Sequence, residues 1–238
     1  MQTRTGTLAF AALFLVTAAV AWSAGTPQRE MRALRDFSRI SVGGSLELQL
    51  TQGPDFRVEV ESPDGDPATV ITEVGNGTLR LRQESSGFPF FFDWNRPRQI
   101  VHVTLPRLEA LTASGGSDVE GHGRFSGEKL EVTASGGADV DLDIAVAALT
   151  VRASGGADVD LSGTATMLTL SASGGSDLDA EDLASDTATV TASGGADVEL
   201  GTVGSLAANA SGGSDVSYKG EPRSLTTNAS GGGKIRRH

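Results

Sequence analysis

The sequence predicts an all-β protein: a single-stranded, right-handed parallel β-helix of ~19-residue coils behind a less regular N-terminal β region. Three observations carry this reading. "SGG" starts at Ser114, Ser135, Ser154, Ser173, Ser193, Ser211 and Ser230, at intervals of 21, 19, 19, 20, 18 and 19 residues, and its flanks repeat with it. Between the copies, apolar and polar residues alternate strictly. Many of the residues on the apolar parity are small.

Alternation comes first, because it sets the local structure. Around Ser154, the residues Leu149, Val151, Ala153, Gly155, Ala157, Val159 and Leu161 take every second position, with Thr150, Arg152, Ser154, Asp158 and Asp160 between them. The same parity runs through Leu130 to Leu142 and through Leu168 to Ala180. This is a strand pattern with one buried face. The Gly-Gly pair in the middle marks a bend, where backbone freedom is needed and a side chain would not fit.

A one-faced unit of this length hides its apolar side only by stacking on neighbours. A propeller blade needs about twice the residues, and a leucine-rich repeat needs a Leu/Asn framework that is absent. A parallel β-helix fits, with strands about 4.8 Å apart and equivalent residues in columns. Small inward residues predict a narrow coil with little internal cavity. N-terminal to the repeats, "RISVGGSLELQLTQG", "FRVEVE", "TLRLRQ" and "QIVHVTLP" alternate as strands, and Asn76-Gly77 is a turn signal. "DPATVITEVG" reads as a short helical or irregular crossing. These pieces are expected to form the first, less regular coils and to cover one end of the stack. The resulting division is a signal peptide over 1–24, a linker over 25–34, an N-terminal β region over 35–111 and regular repeats over 112–238.

The leader has one early cation, Arg4, an uncharged run from Thr7 to Ala24, and small residues offering cleavage after Ala21, Ser23 or Gly25. The competing reading is an uncleaved anchor, since the run is long enough to span a bilayer. No cysteine follows, which excludes a lipid-anchored lipoprotein, and with no Cys in the chain stability rests on packing and backbone pairing. The balance of 30 Asp+Glu against 19 Lys+Arg argues against nucleic acid as a partner. It fits a solvated acidic face or cation affinity.

The segment "FSRISVGGSLELQLTQG", a strand pair, and "VHVTLPRLEALTASGGSDVEG" resemble the bacterial head GIN domain family (DUF2807, the putative autotransporter adhesins), from about Arg35 onward. The stretch Leu105 to Gly115, entering the first repeat, is the most specific part. The resemblance implies an exported β-helical protein of Gram-negative bacteria, in the periplasm or at the cell surface, with no catalytic residues to carry over. An autotransporter also needs a C-terminal membrane barrel. The chain stops at its seventh repeat, so self-secretion is not expected.

Candidate sites arise from the columns. Asp118, Asp139, Asp158, Asp177, Asp197 and Asp215 share one repeat position, and Glu120, Asp141, Asp160, Asp179 and Glu199 lie two residues on. Stacked like charges repel by about 1 kcal/mol each even in water-like surroundings. Bound cations, hydrogen bonds to the bend, or hydration must offset this. Calcium takes carboxylate oxygens, but "GGADVDL" lacks the third glycine of the calcium-roll repeat. The expectation is therefore a solvated face and no cofactor, with calcium the alternative. Lys234 and Arg236 fall where the two acidic columns would continue, and so terminate them. The stacked Ser hydroxyls are expected to form a hydrogen-bonded ladder.

The cluster "GFPFFFDWNRPR" holds Phe88, Phe90, Phe91, Phe92 and Trp94, five of the 12 aromatics. It is either a binding patch for a cell-surface glycan or envelope protein, or a loop folded over the end of the helix. The histidines His102, His122 and His238, without cysteine, assemble neither a nucleophile triad nor a zinc site. An aspartate repeated at every coil argues for structure, because an active site breaks regularity. The reading is a non-enzymatic protein, adhesin-like or ligand-binding. A polysaccharide-active lyase or hydrolase and a purely structural envelope component are the alternatives.

Overall fold

The computed structural model describes residues 27–63, 66–84 and 98–238; the predicted signal peptide and the aromatic cluster lie outside the described residues. The chain forms β1 (Gln28–Arg32), β2 (Arg39–Gly44), β3 (Leu46–Gln52) and β4 (Arg57–Ser62), a short 3-10 helix (Pro67–Thr69), then β5 (Val70–Gly75), β6 (Thr78–Gln83), β7 (Gln99–Leu105) and β8 (Ala110–Gly115). Long bent strands come next: β9 (Asp118–Gly136), β10 (Asp139–Gly155), β11 (Asp158–Gly174), β12 (Asp177–Gly194) and β13 (Asp197–Ala210). The last elements are β14 (Asp215–Lys219), β15 (Ser224–Ala229) and β16 (Lys234–Arg237).

Strands β8 to β16 stack in parallel as a β-helix, one sequence repeat per coil. The registers put Asp139 beside Asp158, Val151 beside Leu170, and Gly155 beside Gly174. Columns of Leu149 and Leu168, Ala153 and Ala172, and Val140 and Val159 are thereby buried. The unequal repeat intervals are absorbed at one corner. Between Glu120 and Arg124, β9 takes four steps where β10 takes two, from Asp141 to Asp143. The β11–β12 and β12–β13 registers shift at the same corner, between Asp160 and Ser162 and between Ala180 and Ser185. Elsewhere the register holds, because a one-residue slip would turn the apolar parity outward.

Each bend is an ordered ladder of backbone groups. Gly155 has φ +80°, and a Cβ there would lie 3.0 Å from the Gly136 carbonyl oxygen. The amide of the second glycine donates to the coil below: Gly156 N to Gly136 O at 2.7 Å, Gly175 N to Gly155 O at 2.8 Å, and likewise along the stack. The serine hydroxyls do not bond one another as expected from the sequence. Ser114 Oγ donates to Val42 O at 3.3 Å and Ser211 Oγ to Ala192 O at 3.5 Å.

The N-terminal region contains a further bend, which lacks the Ser-Gly-Gly triplet. Gly43 aligns with Ser114, Gly44 with Gly115, and Glu47 with Asp118, so β2–β3 is a full coil of the helix. It lies between β8–β9 on one side and β6–β7 on the other. Beyond these, β4 pairs antiparallel with β7, and β5 with β6, covering this end of the stack. The segment read as a linker, residues 25–34, instead carries β1, antiparallel to β4. Side chains anchor it: Arg29 Nη2 lies 2.8 Å from Glu61 and Arg32 donates to Pro67 O at 3.1 Å. "DPATVITEVG" becomes the 3-10 helix, capped by Asp66 accepting from Ala68 N, and then strand β5.

Candidate functional site: the acidic columns

The bend and the parity together place the carboxylates. After Gly-Gly, the next residue turns inward (Ala138, Ala157, Ser176, Ala196, Ser214), so the aspartate behind it faces out. Two residues on, the outward parity returns. Asp118, Asp139, Asp158, Asp177, Asp197 and Asp215 are consecutive partners in register, and so are Glu120, Asp141, Asp160, Asp179 and Glu199. Between the columns, Asp118, Glu120, Asp139, Asp141, Asp158 and Asp160 with Val119 and Val140 line an open cleft of about 370 Å³.

Crowding shows in the carboxyl groups. Burial, then the charges of Asp158 and Asp118, raises the pKa of Asp139 above its ordinary value. Asp160 is raised by burial and then by Asp179 and Asp141. Asp177 is raised by burial, Asp158 and Asp197. Among the described residues few cations reach the columns: Arg98 bonds Asp118 at 3.1 Å and Lys234 lies 3.7 Å from Asp215. Arg124 bonds Asp143 just beyond the columns. Among the described residues no group of three or more His, Cys, Asp or Glu side chains is arranged to hold a metal ion.

The columns run further than the repeats suggest. Glu47 extends the first and Gln49 the second, and His102 comes after Gln49 on β7. On β4, Glu59 stands beside His102 and Glu61 beside Ile100. This end is closed by cations. Arg57 bonds Glu59 at 2.6 Å, Arg29 lies 3.5 Å from Glu59 and 2.8 Å from Glu61, and His102 Nε2 is 3.0 Å from Glu61. The hydrogen bond from Arg57 holds Glu59 below the ordinary carboxylate value against its burial, and the charges of Arg57, Arg29 and His102 add to it. Alternation in "RVEVE" placed these glutamates outward; the antiparallel turn that stacks them on the columns had no local signal.

At the other end, Lys234 stands beside Asp215 and Arg236 beside Ser217. Lys219 forms a further pair with Glu181 at 2.8 Å. His122 is exposed, 3.9 Å from Glu120, and His238 donates its backbone amide to Tyr218 O. The aromatic candidates Phe88, Phe90, Phe91, Phe92 and Trp94 lie outside the described residues, in the sequence between β6 and β7. A separate apolar cleft of about 340 Å³, unmarked by any motif, is lined by Phe37, Ser38, Phe56, Pro106 and Arg107. The two rings there are 4.9 Å apart and tilted. Among the described residues no helix is long and apolar enough to cross a membrane.

The fold recurs in solved structures. An adhesin-named protein of Bacteroides fragilis is 22% identical with a TM-score of 0.80, covering 90% of this chain and 97% of its own. A protein of Parabacteroides distasonis named as a putative lipid binding protein is 17% identical, TM-score 0.65, with 90% and 97% coverage. A putative adhesin from Parabacteroides merdae is 16% identical, TM-score 0.65, again covering 90% and 97%. No curated protein matches significantly. Residues 36–222, nearly all of the described solenoid, match the family "Putative auto-transporter adhesin, head GIN domain". The chain belongs to this family, DUF2807.

Proposed function

We propose that this is an exported, non-enzymatic protein of the Gram-negative envelope that binds ligands in an adhesin-like manner along its lateral face. The observation that carries the proposal is the double row of carboxylates, from Glu47 to Asp215 in the first column and from Glu120 to Glu199 in the second, with an open groove between the two over Asp118 to Asp160. A catalytic site concentrates unlike groups at one place; here the same groups recur at every coil. Such a face suits an extended ligand with a repeating structure, a surface glycan or an envelope protein. The family name and the adhesin names of the B. fragilis and P. merdae proteins support the same class. The leader over residues 1–24 supports export, to the periplasm or cell surface. No cofactor is part of this reading; calcium bridging the carboxylates is the alternative that the chelator comparison tests.

The test is glycan-array binding by the mature protein, with calcium and with chelator. Saturable binding to a glycan is the expected result. Loss of it in Asp139→Asn/Asp160→Asn would locate the site in the columns, and loss in Phe91→Ala/Trp94→Ala would locate it in the aromatic segment. Release of reducing or unsaturated sugar ends would overturn the non-enzymatic reading. Absence of binding in both buffers would favour a purely structural role.

A further inference from the structure

The two ends of the solenoid are finished differently. At the β4–β5 end the edge strand β1 is charged, and Arg29 and Arg32 are held by Glu59, Glu61, Glu30 and Pro67 O. Charge on an edge strand discourages further pairing. At the other end, β15 pairs only with β13 and β16 only with β14, which leaves one side of each without a hydrogen-bonded neighbour among the described residues. The inward residues of this coil are uncovered too. Leu225 is 47% exposed while its column partner Leu206 is 2% exposed. Ile235 is only half-buried above fully buried Val216.

Charge is also distributed unevenly. Residues 216–238 hold Lys219, Arg223, Lys234, Arg236 and Arg237 against one acid, Glu221, in a chain of net charge -11, and Lys219 is paired with Glu181 of an earlier coil at 2.8 Å. Arg237 bonds Glu221 at 2.8 Å, and Lys234 lies 3.7 Å from Asp215. We propose that the β15–β16 edge docks an extended acidic segment of a partner polypeptide, added as one more rung. This goes beyond binding along the lateral face.

The register specifies the partner's chemistry. Lys234 and Arg236 flank Ile235 in the positions of Asp197 and Glu199 flanking Val198 two coils earlier. A rung placed over them would be complementary with an acid, an apolar residue and an acid in alternation. Strand addition also satisfies the open backbone groups, which supply affinity while the alternating side chains supply selectivity. A second copy fits less well. The other free edges read Gln-Arg-Glu-Met-Arg in β1 and Val-Ile-Thr-Glu-Val-Gly in β5, with no such alternation. Two β16 edges would oppose their cations. A lipid surface would leave unpaired N–H and C=O groups against hydrocarbon.

The experiment uses the full chain and a short fluorescein-labelled peptide alternating aspartate and valine, monitored by anisotropy. Saturable binding is expected, weakened about tenfold or more in Lys234→Glu/Arg236→Glu, with added salt having the same direction of effect. A peptide carrying lysine for aspartate should reverse the preference and bind the doubly substituted chain. That restored binding also shows that the variant is folded. Equal binding of both peptides to both proteins, or none, would overturn the proposal. So would binding only to phosphatidylglycerol vesicles, or concentration-dependent dimerisation in sedimentation that excludes the peptide. Either of these assigns the edge to another occupant. Because glycan binding is read on the lateral face, the two assays fail independently.

Discussion

At the scale of single residues, the two glycines of each bend are unequal although the sequence writes them alike. Gly155 has a left-handed backbone and a Gly136 backbone atom at 3.0 Å from any added Cβ; at Gly156 the nearest atom is 3.7 Å away and the backbone is ordinary. Gly155→Ala is therefore expected to lower stability by about 2 kcal/mol, from a strained backbone conformation plus the clash. Gly156→Ala should stay within about 0.5 kcal/mol of the parent. Urea unfolding of the pair measures the difference. Equal effects would mean that the stack relaxes around the bend. No sequence pattern separates the two positions; the φ angle does.

At the scale of the element, each acidic column is a set of carboxyls whose charges disfavour one another. Asp139, Asp160 and Asp177 have pKa values raised in the folded state, by burial first and by the neighbouring aspartates second. A group with a raised folded pKa contributes stability below its unfolded value that is lost as pH rises through the folded one. The columns thus weaken the fold most at neutral pH, where all three are charged. Lowering pH from neutral toward the raised values should increase the urea midpoint, and so should added salt at pH 7. Asp160→Asn should stabilise at pH 7 by about 0.5 kcal/mol, a modest figure because water screens the exposed column. The gain should vanish at low pH. A stability that only falls on acidification would contradict this account of partly buried, mutually repelling carboxylates. Glu59 works in the opposite sense. Its pKa is lowered, so its bonds to Arg57 and Arg29 stabilise above the ordinary value of 4.5 and are lost as pH falls through the folded pKa. Glu59→Gln should cost stability at pH 7 and little at acid pH, as thermal melts at the two pH values would show.

At the scale of the whole molecule, the stack behaves as a one-dimensional array in which each coil contacts its neighbours. Removing Asp158–Ser176 joins Ala157 to Asp177 and brings β10 onto β12 with the columns intact, because β10 and β11 differ by one whole coil in register. This shortened chain is expected to fold, with a β-type circular dichroism spectrum and a cooperative melt. Removing Asp158–Thr166 instead leaves only part of a coil between the Gly155 and Gly174 bends, so the later bends and acidic columns no longer meet their partners in register, and should leave an unfolded or aggregated product. Loss of folding in both deletions would mean that the coils are not interchangeable.

The repeat was legible because the periods that make a β-helix are written locally: alternation in each strand, small residues along the inner columns, and glycine where the chain turns. The outward positions of Asp139 and Asp160 come from the same parity, so both acidic columns could be read from the chain. The coil formed by β2–β3 was half legible, since "VGGSLEL" repeats the pattern with Gly43 in place of serine, and only pairing with Gly115 and Asp118 reveals its register. The antiparallel cover was not legible. Whether β4 turns back on β7 depends on contacts between distant segments, and so does the clamp of Arg29 on Glu59 and Glu61. Local sequence determined that each unit is a one-faced strand that must stack, because period-two burial is a property of neighbouring residues. Tertiary structure alone decided the order of the N-terminal coils, the length of the acidic face and which described strands lie at its edges, because those depend on which segments meet.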